Sequence, residues 1–187
     1  MNKEKKLLRE NILKSIKNKD INSSYKLLSK LKKEDVENPQ FLILQGIFFV
    51  EINDLVHSLA AFSKAAQKMP RDPTLLYNLS VLLEQMGRLN ASEEAIHRAM
   101  HVSKPNPFIY FQMAEVLTLQ GKHPEAMKTL FKCIEQFGLF FPAYVALVYY
   151  LLLLDHKDLA IQLYEKAIEA APKEKFFKVR LAELKAL

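Results

Sequence analysis

From residue 39 to residue 174 the apolar residues come in bursts divided by short polar turns. Four bursts follow a proline. FLILQGIFFVEI comes after Asn38-Pro39, LLYNLSVLLEQ after Asp72-Pro73, FIYFQMAEVLTLQ after Asn106-Pro107, and AYVALVYYLLLL after Phe141-Pro142. In the first three, Asn or Asp stands where a helix N-cap belongs. Pro takes the first helical position, where its missing N–H costs nothing. The polar turns EIND, MGRLN, QGKHP and LDHKD each introduce a second helix. Asn90 followed by Glu93 predicts a capping-box start for one of them. The units end near Pro70, Pro105 and Pro172, with Gly138 closing the third.

The pattern has a period of 34 residues. Ala65, Ala99, Cys133 and Ala167 form one column of small residues, and Ser58, Ser92, Ala126 and Ala160 form another. Between them lie the large residues Phe62, Ile96, Leu130 and Tyr164. On the preceding helix the column Gly46, Ser80, Ala114, Val148 is flanked by Leu42, Leu76, Tyr110, Tyr144 and by Phe49, Leu83, Leu117, Leu151. Small residues on both helices let the backbones approach, and large ones fill the space beside them. One such hairpin cannot bury its own apolar faces, so copies stack. Val148 is the exception and predicts wider helix spacing in its unit.

These columns resemble the tetratricopeptide repeat. The units LLYNLSVLLEQMGRLNASEEAIHRAM and AYVALVYYLLLLDHKDLAIQLYEKAIEAAP carry the resemblance most closely. It implies an all-α fold, a right-handed α-solenoid of antiparallel helix pairs, with repeats over 39–72, 73–106, 107–140 and 141–174. Residues 5–38 keep Ser24, Leu28 and Leu31 in register but put Asn11 and Ser15 where bulky residues belong. They read as a degenerate capping repeat, giving about five repeats in one continuous domain. Residues 175–187 begin a further first helix, with Leu181 and Ala182 in the register of Leu147 and Val148. Lys178 and Lys185 replace its apolar columns. The segment therefore reads as a solvating helix with a polar outer face, and Leu187 as near a natural end.

The resemblance further implies that one stripe of each first helix lines a concave groove. The stripes are Gln40, Ile43, Ile47, Val50; Thr74, Tyr77, Val81, Glu84; Phe108, Phe111, Glu115, Thr118; and Pro142, Val145, Tyr149, Leu152. Packing between repeats does not need these positions, yet most are apolar, which makes them the candidate partner site, with Asn78 beside Tyr77. One subclass of the family clamps acidic chaperone tails between Lys, Asn and Arg side chains. Here Ile43, Ile47, Phe108 and Gln112 stand at clamp positions and Asn78 alone matches, so the clamp is not expected.

The burst at 143–154 lies in an eighteen-residue stretch, 137–154, without a charge. That approaches the length of a membrane span. Gly138 and Pro142 break it, however, and the register makes 142–154 a first helix. Ala146, Leu147 and Leu151 should then be buried, Tyr149 and Leu152 should face the groove, and no membrane span is expected.

Of 187 residues, 50% are hydrophobic and 26% charged, which fits a folded soluble protein. The single cysteine excludes an intramolecular disulfide and fits a reducing, cytoplasmic setting. MNKEKKLLRENILKSIKNKD has no uninterrupted apolar core and reads as no export signal. The net charge of +6 is local: residues 1–34 hold eleven Lys and Arg against four Asp and Glu, leaving sixteen against seventeen elsewhere. Nucleic acid or anionic lipid could meet that segment. Charges on several helical faces, and no aromatic but Tyr25, favour a solvated cap, so nucleic acid is not an expected partner.

Candidate chemistry is thin. His97 and His101 are four apart with Glu93 a turn earlier, but no third strong ligand joins them. Cys133 stands in a packing column and reads as a core thiol. TLQGKHPEA is a helix–helix turn and not a phosphate loop. The chain is therefore expected to be non-enzymatic, without metal or cofactor. It would bind a peptide or helix of another protein as an adaptor, scaffold or chaperone. Two other readings are the recognition portion of a larger enzyme, such as a glycosyltransferase, and a homodimer formed through paired apolar stripes.

Overall fold

The computed structural model describes residues 3–31, 35 and 37–186, and its regular elements over those residues are all helices. The chain divides into two compact units, residues 1–104 and 105–187. The first holds α1 (Lys3–Lys17), α2 (Ile21–Leu28), α3 (Pro39–Glu51), α4 (Leu55–Lys68), α5 (Pro73–Gln85) and α6 (Leu89–Val102). The second holds α7 (Pro107–Leu119), α8 (His123–Phe137), α9 (Phe141–Leu153), α10 (Lys157–Ala170) and α11 (Lys175–Ala186). Val36 and Leu187 lie outside the described residues.

The caps form as their residues dictate. Asn38 accepts from the Gln40 N–H at 3.0 Å, Asp72 from Leu75 at 2.8 Å, and Asn106 from Phe108 at 3.0 Å. α9 begins at Phe141 with Phe140 as its N-cap and no side-chain bond. The capping box at Asn90 does not form the helix start. α6 already runs from Leu89, with the Ser92 N–H donating to the Arg88 carbonyl at 3.0 Å, so Asn90 sits inside the helix.

The turn within each helix pair repeats in its backbone. Lys19, Asn53, Gly87, Gly121 and Asp155 have φ of 55°, 59°, 70°, 75° and 59°, one left-handed residue every 34 positions. The next residue's N–H donates five residues back: Asp20 to Ser15, Asp54 to Phe49, Arg88 to Leu83, Lys122 to Leu117 and His156 to Leu151, at 2.7–3.0 Å. These bonds satisfy carbonyls that a helix C-terminus leaves bare. The series begins in the α1–α2 pair, so that pair shares the turn of the later ones.

In the first unit the helix pairs are pinned through their small columns. Ser58 Oγ donates to the Gly46 carbonyl at 2.9 Å, and Ser92 Oγ to the Ser80 carbonyl at 2.7 Å. Ser24 Oγ bonds Ser15 Oγ at 2.9 Å, which explains the polar residue at position 15. Gly46 is needed for space: a Cβ there would lie 2.3 Å from Cε1 of the fully buried Phe62. One core cluster gathers Leu42, Ile43, Phe62, Ala65, Leu75 and Leu82. A second seats Ile12 and Ile16 of α1 on Phe41, Leu44 and Phe48 of α3.

In the second unit α7 and α8 approach closely, whereas α9 and α10 pack less closely, in line with Val148 at the crossing. Leu147 and Leu151 of α9 are buried, and Ala146 is only half-buried. α11 closes the unit with aromatic rings. Phe177 is fully buried, with ring centroids 5.0 Å from Phe141, 4.8 Å from Tyr144 and 6.0 Å from Tyr164. Phe176 stacks flat on Phe141 at 4.7 Å and carries the Arg180 guanidinium over its own face. The expected register of α11 is corrected here: Phe177 and Leu184 are its buried residues, Leu181 is half-buried and Ala182 is exposed. Two residues seven apart lie on one face, and that face meets the rings. Lys178 and Lys185 are exposed, and Lys185 pairs with Glu165 at 2.8 Å. Among the described residues no helix is long and apolar enough to cross a membrane.

Candidate binding surface

The sixteen stripe positions fare differently in the two units. In the first, Ile43 is 8% exposed and belongs to the core cluster, so it offers a partner no surface. Its helix α3 is flanked by α1 as well as by α5, and it is buried further round than a stripe drawn from one helix suggests. Ile47 and Val50 are half-buried, and Ile47 packs against both core clusters. The Gln40 amide oxygen accepts from Arg9 at 2.8 Å. Tyr77, Asn78, Val81 and Glu84 on α5 are half-buried, and Asn78 donates to the Thr74 carbonyl at 2.8 Å.

The second unit exposes its stripe. Phe108 is 57% and Tyr149 60% exposed, and Val145 and Glu115 also face solvent. Phe111 and Leu152 are half-buried. Phe140, in the link before α9, sets its ring edge-on to Phe108 at 5.1 Å and to Phe111 at 5.9 Å. Thr118 bonds the Tyr150 hydroxyl, joining α7 to α9. Phe108, Phe111 and Phe140 thus gather beside α7, and Val145 and Tyr149 hold the equivalent stripe of the next first helix, α9.

Two features escaped the 34-residue columns. Phe140 sits between helices, where helical periodicity carries no signal. Leu153 and Leu154, exposed at the end of α9, line an apolar recess of about 290 Å³ with His123, Pro124, Met127 and Tyr150. The length of their apolar run hinted at surplus beyond packing needs.

The chemistry-bearing residues lie away from this strip. His97 and His101 are exposed on α6. Cys133 is fully buried beneath the Pro107 carbonyl, 3.7 Å away, and burial pushes its thiol up to about 11. A neutral, enclosed thiol is a poor nucleophile.

Residues 141–174, the α9–α10 pair, match the family model described as Tetratricopeptide repeat. The chain carries a tetratricopeptide repeat and has that family's fold. No curated protein matches it. Solved structures extend the likeness over nearly the whole chain. The crystal structure of PilW, a widely conserved type IV pilus biogenesis factor, is similar at TM-score 0.79 and 13% identity, over 100% of this chain and 88% of PilW. MamA is similar at 0.71 and 20%, over 86% of this chain and 94% of MamA. TTC0263, a thermophilic tetratricopeptide-repeat protein of Thermus thermophilus, is similar at 0.70 and 21%, over 96% and 100%. At such identities the shared property is the fold.

Proposed function

We propose that the second unit holds a segment of another protein against the exposed faces of α7 and α9, and that the chain serves as a non-catalytic adaptor, scaffold or chaperone. One observation carries this reading: Phe108, Val145 and Tyr149 stay in solvent although the same helices bury Ile109, Leu147 and Leu151 beside them. Large apolar side chains on a rigid face lose little entropy on binding and gain by leaving water. Helical repeats elsewhere present such faces to protein segments.

The test begins with cross-linking mass spectrometry of proteins retained on the purified chain. For a client so identified, Phe108→Ala, Phe111→Ala or Tyr149→Ala should each weaken binding by about 2 kcal/mol if it is a hot spot. Tyr77→Ala on the first unit should matter less. Thermal stability should stay nearly unchanged for Phe108→Ala and Tyr149→Ala. Full affinity in all three second-unit variants would sink the assignment. A second reading rests on the distribution of exposed large hydrophobics: among the described residues, ten of the sixteen lie beyond residue 104. Such a face could pair with its own copy, and sedimentation of wild type and Tyr149→Ala distinguishes a homodimer from a client site.

A further inference from the structure

The terminal helix pair carries a surface that the binding strip does not explain. On α1, Lys3, Lys6, Lys14 and Lys17 fall within one exposed arc of the helical wheel, while Ile12 and Ile16 opposite are buried against α3. Lys26 and Lys30 add two exposed charges on and just after α2. Among the described residues none of these six lysines is ion-paired. Lysines elsewhere do find partners, as Lys68 does with Glu37 and Lys185 with Glu165. Glu10 is the single acid within the α1 arc. Like charges gathered this way repel one another and weaken the fold slightly, and an anionic surface would relieve that cost.

Leu7, 57% exposed, stands on the same arc of α1, and Tyr25 of α2 is 67% exposed. We infer that this face docks on an anionic lipid surface. The α1 lysines meet headgroup phosphates and carboxylates, and Leu7 reaches the acyl boundary. A nucleic-acid backbone would use the same charge but gives an exposed leucine nothing to bury against, and α1 and α2 offer one exposed aromatic for base stacking. Ile12 and Ile16 are committed to the core, so α1 cannot turn its main apolar face into the bilayer. Attachment is therefore peripheral, reversible and sensitive to salt.

Flotation of the full chain with vesicles of phosphatidylcholine alone or mixed with phosphatidylserine tests this. The chain should float with the anionic vesicles at low salt, stay behind with the neutral ones, and be released as salt rises. Lys3→Gln, Lys6→Gln, Lys14→Gln and Lys17→Gln together should lower vesicle affinity on the order of a hundredfold or more, with unchanged far-UV circular dichroism. Leu7→Ser should weaken it several-fold. If the fourfold variant loses helix, Leu7→Ser and the salt titration decide alone. Equal binding to neutral vesicles, no binding to anionic ones, or indifference to these changes would overturn the proposal. So would tighter binding to RNA or DNA that displaces vesicles and ignores Leu7→Ser, which would assign the face to nucleic acid.

Discussion

The α3–α4 pair of the first unit and the α9–α10 pair of the second occupy equivalent places in the 34-residue register and solve the helix crossing in opposite ways. In α3–α4 the first helix gives up its side chain: Gly46 leaves room for the Phe62 ring, and Ser58 reaches the bared carbonyl. In α9–α10 the first helix keeps Val148, the facing residue is Ala160, no hydroxyl bridges the pair, and the helices stand further apart. Space that backbone approach does not fill is taken by rings, with Phe177 of α11 seated on Tyr144 and Tyr164. A close, hydrogen-bonded crossing and a looser, aromatic one are thus two outcomes of one register. The two units differ at the surface as well. The first unit folds its stripe into the core at Ile43, whereas the second leaves Phe108 and Tyr149 in water.

The aromatic solution should break hardest. Phe177→Ala removes a fully buried ring with four aromatic neighbours, and should cost about 3–5 kcal/mol by chemical denaturation. Loss below about 1 kcal/mol would mean that α11 is not what fills the wider pair.

Importing one solution into the other comes next. Gly46→Val, the residue of the equivalent site in α9, drives its side chain into Phe62 and should cost about 3 kcal/mol. Adding Phe62→Leu should recover part of it, a coupling that a double-mutant cycle reads directly. Strict additivity would show that the clash is not the cause.

The hydroxyl bridges are worth less. Ser92→Ala removes both its bond to the Ser80 carbonyl and its contact with the Ser80 hydroxyl, and should cost about 1–2 kcal/mol. Ser is absent from the equivalent places Ala126 and Ala160, and Ala126→Ser or Ala160→Ser should give no matching gain.

The smallest effect belongs to the turns, which the two units share. Lys19 holds a left-handed backbone that the equivalent Gly87 and Gly121 adopt without steric cost. Lys19→Gly should therefore stabilise the first helix pair by about 0.5–1 kcal/mol. Hydrogen exchange at α1 and α2 amides checks it, and faster exchange would contradict it.

The columns of small and large residues made the helix pairs legible, because the spacing that lets two helices approach is written into every copy. The Asn-Pro and Asp-Pro starts announced three helix N-termini for the same local reason. Even the left-handed turn column stands in the chain as Asn53, Gly87, Gly121 and Asp155, residues that tolerate positive φ, although Lys19 disguises its first member. What helical periodicity could not decide is how far round each helix is covered. Ile43 and Val145 lie on the same stripe by position, yet Ile43 is buried in a cluster with Phe62 of α4 and Leu75 and Leu82 of α5, whereas Val145 stays in solvent. Phe140 joined Phe108 and Phe111 from a link that has no period. α11 chose Phe177 and Leu184 over Ala182 because the rings of Phe141, Tyr144 and Tyr164 were already gathered there to receive it. Local residue chemistry determined where helices start, turn and cross. Burial is a sum over neighbours distant in sequence, and only the tertiary structure decided which apolar residues were left for a partner.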